Sequence, residues 1–94
     1  MTLPDDLPAQ GDAARYPAEL SAASVQFLAT ARPGIRVVAR YRIDSGYTDA
    51  LGWLLSTDAW SCVIETKRGP VTVRFADVVA AKQVPPPAER KARP

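Results

Sequence analysis

The sequence predicts an all-β fold, a small five-stranded barrel, and three observations carry that expectation. Residues Ile35 to Ile43 alternate apolar and charged side chains with the two-residue period of a half-buried strand. Further strand-forming segments follow in about 40 residues, spacing that leaves room only for hairpin turns. The prolines, 9 in 94 residues, sit mainly at the two ends. The folded part is therefore roughly 50 residues, near the lower limit for a domain that folds alone.

In chain order, residues 1–17 contain Pro4, Pro8, Gly11 and Pro17 with few apolar side chains, too few to offset chain entropy. They are expected to be a disordered arm. A short helix is expected within 18–33. Leu20, Ala23, Phe27, Leu28 and Ala31 fall at helical spacing, Pro17 suits the first helical position, and Pro33-Gly34 stops the run.

The barrel is expected over 34–84. Its first strand places Ile35, Val37, Ala39, Tyr41 and Ile43 on one face and Arg36, Val38, Arg40 and Arg42 on the other. Asp44-Ser45-Gly46 turns the chain. Thr48 to Ser56 returns as a second strand, with Leu51, Trp53 and Leu55 sharing a face and Gly52 allowing a bend or bulge. After a turn at Ser56-Thr57-Asp58, Trp60 to Thr66 forms the third strand. Lys67-Arg68-Gly69-Pro70 makes a hairpin into Val71 to Arg74. Phe75-Ala76-Asp77 suits one helical turn with Asp77 as a local cap, and Val78 to Val84 forms a fifth strand that Pro85-Pro86-Pro87 ends. Five short antiparallel strands with a helical turn before the last describe an SH3-like barrel. Residues 85–94, a stiff proline run followed by charged residues, are expected to be a basic tail or linker.

Composition excludes most chemistry. No stretch reaches the roughly 18 consecutive apolar residues of a membrane span, and Met1 to Gln10 carries Asp5 and Asp6 where a signal peptide carries positive charge. A soluble, cytoplasmic protein is expected. The chain has no histidine and one cysteine, Cys62, so an internal disulfide, a Cys/His zinc site and an imidazole base are all ruled out. Cys62 alternates with Ile64 and is expected to be buried. Asp49 and Asp77 read as turn and cap residues rather than an acid-base pair. No catalytic, cofactor-binding or metal-binding residues are expected.

Charge is unevenly distributed. Residues 1–31 carry −3, residues 32–84 carry +3, and the tail adds further positive charge. An acidic arm of this kind can lie over a basic surface. Arg36, Arg40 and Arg42 project from one strand face, with Lys67, Arg68 and Arg74 as neighbours, one footprint of nucleic-acid binding; the bland alternative is a solvated outer face. Tyr47 and Trp60 are the candidate stacking aromatics, whereas Tyr41 and Trp53 are expected in the core. Tyr47 is also placed to help line a groove for a Pro-rich peptide. The candidate ligand-contact surface is therefore Arg36, Arg40, Arg42, Tyr47, Trp60, Lys67 and Arg68. Val38 and Leu54 are expected to leave apolar surface on which two copies can pair; the oligomeric state is left open.

The run from Gly34 to Pro87 carries Arg36-Val-Val-Ala-Arg-Tyr-Arg42, Thr48-Asp-Ala-Leu-Gly52, Lys67-Arg-Gly-Pro-Val-Thr-Val73 and Ala76-Asp-Val-Val-Ala-Ala-Lys82 before the prolines. With these motifs in this order it resembles the SH3-like domain at the N-terminus of bacterial GNAT-type, histone acetyltransferase-like, acetyltransferases. In that family the proline-rich stretch leads into the acetyltransferase domain. This sequence ends at Pro94, and the glycine-containing loop whose amides would hold the acetyl-CoA pyrophosphate is absent, so no acetyltransferase residue carries over. The resemblance implies a non-catalytic accessory or interaction module whose protein partner is a GNAT acetyltransferase domain. The alternative is a small nucleic-acid-binding barrel that uses the basic strand face.

Overall fold

The computed structural model describes residues 16–87. The parts of the expected arm and tail in 1–15 and 88–94 lie outside the described residues. Tyr16 and Pro17, expected in the arm, belong to the fold. Pro17, with extended φ and ψ of −65° and 143°, precedes the helix α1 (Ala18–Thr30), and its carbonyl accepts from the Leu20 and Ser21 amides. Five strands follow: β1 (Arg36–Ile43), β2 (Gly46–Thr57), β3 (Ser61–Thr66), β4 (Gly69–Arg74) and β5 (Val78–Gln83). A single 3-10 turn, Phe75–Asp77, precedes the last. They form one antiparallel sheet in the order β4-β3-β2-β1-β5, the arrangement of a small SH3-like barrel.

The 12-residue β2 is the hinge of this architecture. Its first half pairs with β1, from Ile43 opposite Gly46 to Arg36 opposite Trp53, and its second half pairs with β3, from Trp53 opposite Glu65 to Thr57 opposite Cys62. The changeover falls at Trp53, which pairs with both strands, directly after Gly52. A Cβ at Gly52 would run into the backbone carbonyl of Glu65, so only glycine lets β3 cross this closely. A bulge between Leu54 and Ser56 follows and turns the strand further.

This bend reverses the expected inside and outside of β2. Ala50 and Leu54 point into the core with Val37, Ala39, Cys62, Ile64, Val73 and Val78, while Leu51, Trp53 and Leu55 are exposed. The inner surface of a sharply folded strand has space for Ala50 and Gly52 and none for an indole. Trp53, expected in the core, lies outside. Leu54, expected to offer apolar surface to a second copy, is fully buried.

Val38 does not offer that surface either. It is buried with Ala80 beneath Leu20 and Val84. Helix α1 straddles the outer edge of β5: Leu28 enters the main core on one side, and Leu20 closes the small cluster on the other. Burial of a side chain such as Leu28 contributes about 1.5–3 kcal/mol. Between these anchors the helix supplies polar groups to a strand edge that has no strand beside it. The Ser21 hydroxyl donates to the Val78 carbonyl (2.6 Å), and the Ser24 hydroxyl oxygen accepts from the Ala81 amide (2.9 Å). The buried face is thus centred on Ser24 and Leu28, while Ala23, which the spacing places on it, is exposed. Among the described residues no helix is long and apolar enough to cross a membrane.

Candidate docking surface

Among the described residues the outer face of β2 gathers three exposed apolar side chains of the sheet, and Ile43, expected on the inward face of β1, is exposed at the end of that strand. Leu51, Trp53 and Leu55 keep 44%, 39% and 46% of their surface in solvent. Tight bending leaves no room for them inside, and α1 covers only the β1–β5 end of the outer face. Arg36 stands directly opposite Trp53 on β1. Its backbone carbonyl accepts from the Val84 amide and its guanidinium Nη1 donates to the Pro85 carbonyl, both at 2.9 Å. This pair of bonds steers the proline run across the sheet. Pro87 reaches a shallow groove of about 280 Å³ that it lines with Arg36, Leu51, Trp53, Glu65 and Lys67.

A second groove, of about 530 Å³, shares Arg36, Leu51, Thr66 and Lys67 with the first. It extends between the first half of β2 and the tip of the β3–β4 hairpin, where Asp49 faces Lys67 and Arg68 across Val71. The tip is well braced. Thr66 Oγ1 donates to the Gly69 carbonyl (2.8 Å) and accepts from the Arg68 amide (3.1 Å), while Gly69 takes the positive φ of 114° that closes the turn. Lys67 and Arg68 consequently stand exposed at the rim. The whole surface is an apolar floor of Leu51 and Trp53 with a cationic border.

The residues expected to form a single basic, aromatic surface are dispersed. Arg40 is committed internally: its Nε and Nη2 pair with the two Asp49 oxygens at 2.8 and 3.0 Å, and Nη1 donates to the Tyr16 hydroxyl at 3.0 Å. Its side chain is 13% exposed. The Asp49 hydrogen bond, opposed by burial and aided by Tyr16, raises the proton affinity of this guanidinium above its ordinary value. Tyr47 is 4% exposed and packs edge to face against Tyr16, with ring centroids 4.7 Å apart, so no stacking face is open. Arg42 is exposed at the far end of β1, beside a broad hollow between the β1–β2 hairpin and the start of α1.

Trp60 is the most exposed large apolar residue among the described residues, at 79%, yet it lies before β3 whereas Lys67 follows it. Roughly 20 Å of strand therefore separates the two. The turn that carries Trp60 is rigid. The Asp58 carboxylate accepts from the Trp60 and Ser61 amides at 2.7 and 2.8 Å, and these bonds hold its pKa below the ordinary carboxylate range. Asp77, expected to cap the helical turn, makes no such bond and lies 3.8 Å from the Arg74 guanidinium instead. Of the expected surface, the structure gathers Arg36, Lys67 and Arg68 around Leu51 and Trp53. It leaves Arg42 and Trp60 apart, and withdraws Arg40 and Tyr47.

Cys62 is buried, as its alternation with Ile64 requires, and burial, with the charge of Asp58 adding, pushes its thiol up to about 11. Among the described residues, no three His, Cys, Asp or Glu side chains gather where they could hold a metal ion.

Comparison with known proteins yields one relationship. No curated protein and no solved structure matches the chain. The family model described as the Rv0428c N-terminal Sm-like domain matches residues 31–82, which run from the end of α1 to β5 and contain every strand residue but the last. A match over more than half of the chain, on a five-stranded sheet of this order, shows that the protein belongs to the Rv0428c N-terminal Sm-like domain family.

Proposed function

We propose that this domain is a non-catalytic docking module that binds a protein partner through the outer face of β2, and that the partner is a GNAT-type acetyltransferase domain. The observation that carries the reading is the placement of Leu51, Trp53 and Leu55 on the outside of a domain too small to spare apolar side chains. An exposed tryptophan among leucines, bordered by Arg36, Lys67 and Arg68, has the composition of an interface centre with a polar rim. The choice of partner comes from the motifs of Gly34 to Pro87.

The test is a titration of the isotope-labelled full chain with a GNAT domain from the same genome, followed by amide NMR. Shifts centred on Leu51, Trp53, Leu55 and Arg36 are expected. Trp53→Ala should weaken binding by about 30-fold, the size of a hot-spot loss of about 2 kcal/mol. Shifts centred elsewhere, or an unchanged spectrum, would overturn the assignment.

Exposed Lys67 and Arg68, with half-buried Arg36 beside them, favour a second reading, a nucleic-acid interface, although Arg40 and Tyr47 are no longer available to it. Titration with short DNA and RNA at low and then physiological salt separates the two. Shifts at Arg36, Arg42, Lys67 and Arg68 that fade as salt rises would put this reading first.

A further inference from the structure

Beyond β5 the chain becomes a stiff run laid across the sheet. The Val84 amide donates to the Arg36 carbonyl, and Pro85, Pro86 and Pro87 have no N–H with which to continue the ladder. Proline fixes its own φ and pushes the preceding residue into extended backbone, so Val84, Pro85 and Pro86 are all held extended. One bond sets the direction of the run, from Arg36 Nη1 to the Pro85 carbonyl (2.9 Å).

The width of the sheet matches the length of this run. Arg36, Trp53 and Glu65 stand opposite one another on β1, β2 and β3. Two strand spacings, about 10 Å, separate the first from the last, and three extended prolines cover about 9 Å. Pro87 accordingly closes one side of the groove of about 280 Å³ that Leu51, Trp53 and Glu65 also line. The Glu65 carboxylate offsets one of the two positive charges, Arg36 and Lys67, in the groove wall. An uncharged run is neither drawn in nor repelled by such a mixed wall, so its hold is the Arg36 bond and the apolar surface of Leu51 and Trp53. That hold is slight. The three prolines are exposed, and water competes for both partners of the Arg36 bond. A bond of this kind favours the closed position by about two- to tenfold.

We propose that residues 85–87 are an autoinhibitory strap over the docking face, latched by Arg36, which a partner must lift before it covers Leu51 and Trp53. The inference rests on the reading of this face as a docking surface. Leu55 does not line the strapped groove and stays open in both states. The Arg36 guanidinium serves twice, holding the strap in the free chain and bordering the partner in the complex.

Two variants of the full isotope-labelled chain test the strap without any partner. Pro86→Gly/Pro87→Gly loosens the run outside every strand and keeps the Pro85 carbonyl, while Arg36→Met removes the latch. Overhauser contacts of Pro87 with Leu51 or Trp53 are expected in the parent, and Arg36→Met should lose them. Line broadening by the soluble nitroxide TEMPOL should rise at the Leu51 methyls and the Trp53 ring in both variants and stay unchanged at Leu55. Absence of those contacts in the parent, or unchanged broadening at Trp53 in either variant, overturns the proposal. Titration with the GNAT domain then uses the proline variant alone, because Arg36 borders the docking face. Lifting the strap should tighten binding about two- to tenfold, since the closed fraction no longer competes. Equal or weaker binding by the proline variant would end the autoinhibitory role. If neither chain binds while the contacts and the added broadening are both seen, the docking reading falls alone. Partner shifts at Leu51 and Trp53 in a parent without the Pro87 contacts would end the strap alone.

Discussion

Replacing Ser24 by alanine tests how α1 holds the barrel. Ser24 is 2% exposed and its hydroxyl oxygen accepts from the amide of half-buried Ala81 at 2.9 Å, so Ser24→Ala leaves that N–H without its partner beneath the helix. Such a loss costs about 1–3 kcal/mol. Alanine is the better helix former and returns about 0.5 kcal/mol, giving a net loss of about 0.5–2.5 kcal/mol. In a domain of this size each kcal/mol lowers Tm by about 4–8 °C. Ser21→Ala is the control. Val78 is 1% exposed but Ser21 is half-buried, so water can enter from the Ser21 side to serve the Val78 carbonyl, and the cost should stay near 0.5 kcal/mol. Urea unfolding reads both, with unchanged slope, and amide exchange at Ala81 should quicken in Ser24→Ala alone. A Ser24→Ala chain as stable as the parent, or a Ser21→Ala chain that loses more, would refute the reasoning.

Three further outcomes are expected. Gly52→Ala forces a methyl group into the Glu65 carbonyl and should cost about 3 kcal/mol by urea unfolding; parental stability would show that β3 does not cross so closely. The Asp58 pKa is lowered in the folded chain, so its contribution is complete above the ordinary carboxylate range and is lost as pH falls through the lowered value. Asp58→Asn should remove that acid-dependent component, read from the Trp60 and Ser61 amide shifts during an acid titration, and an identical titration in both chains would count against the turn geometry. The Cys62 thiol, pushed up to about 11, should resist a thiol reagent at neutral pH until urea unfolds the chain; reaction at the rate of a free thiol would contradict its burial.

Strand existence and order were legible because turn residues are local signals. Asp44-Ser45-Gly46 and Lys67-Arg68-Gly69 mark hairpins that the structure contains, and Gly46 and Gly69 take positive φ. Which face of β2 turns inward was not legible from size. Period-two alternation assigns two faces without saying which is buried, and the larger set, Leu51, Trp53 and Leu55, looked like core. The smaller set is inside because β3 crosses at Gly52. Val38 shows a related failure: its arginine neighbours mark an outer face, yet α1 lies over that point. One site feature was within reach. The Asp44-Ser45 connection sets the β1–β2 register, which puts Arg40 opposite Asp49 and predicts their pairing. The Tyr16 contact and the Arg36 bond to Pro85 depend on tertiary folding and left no local signal.

The serine bonds from α1 to β5 also limit how copies of this domain can associate through their backbones. Head-to-tail edge pairing needs two free margins on each copy and, when the geometry does not close, it propagates without end. Here β4 is the exposed margin, and it carries Pro70, which has no N–H to donate, while the opposite margin is occupied by Ser21 and Ser24. Among the described residues β4 is then the single margin available, and pairing β4 against β4 would use it up once two molecules had met. A pair of hydroxyl groups thereby acts as a chain terminator for assembly, making growth by strand addition finite at two.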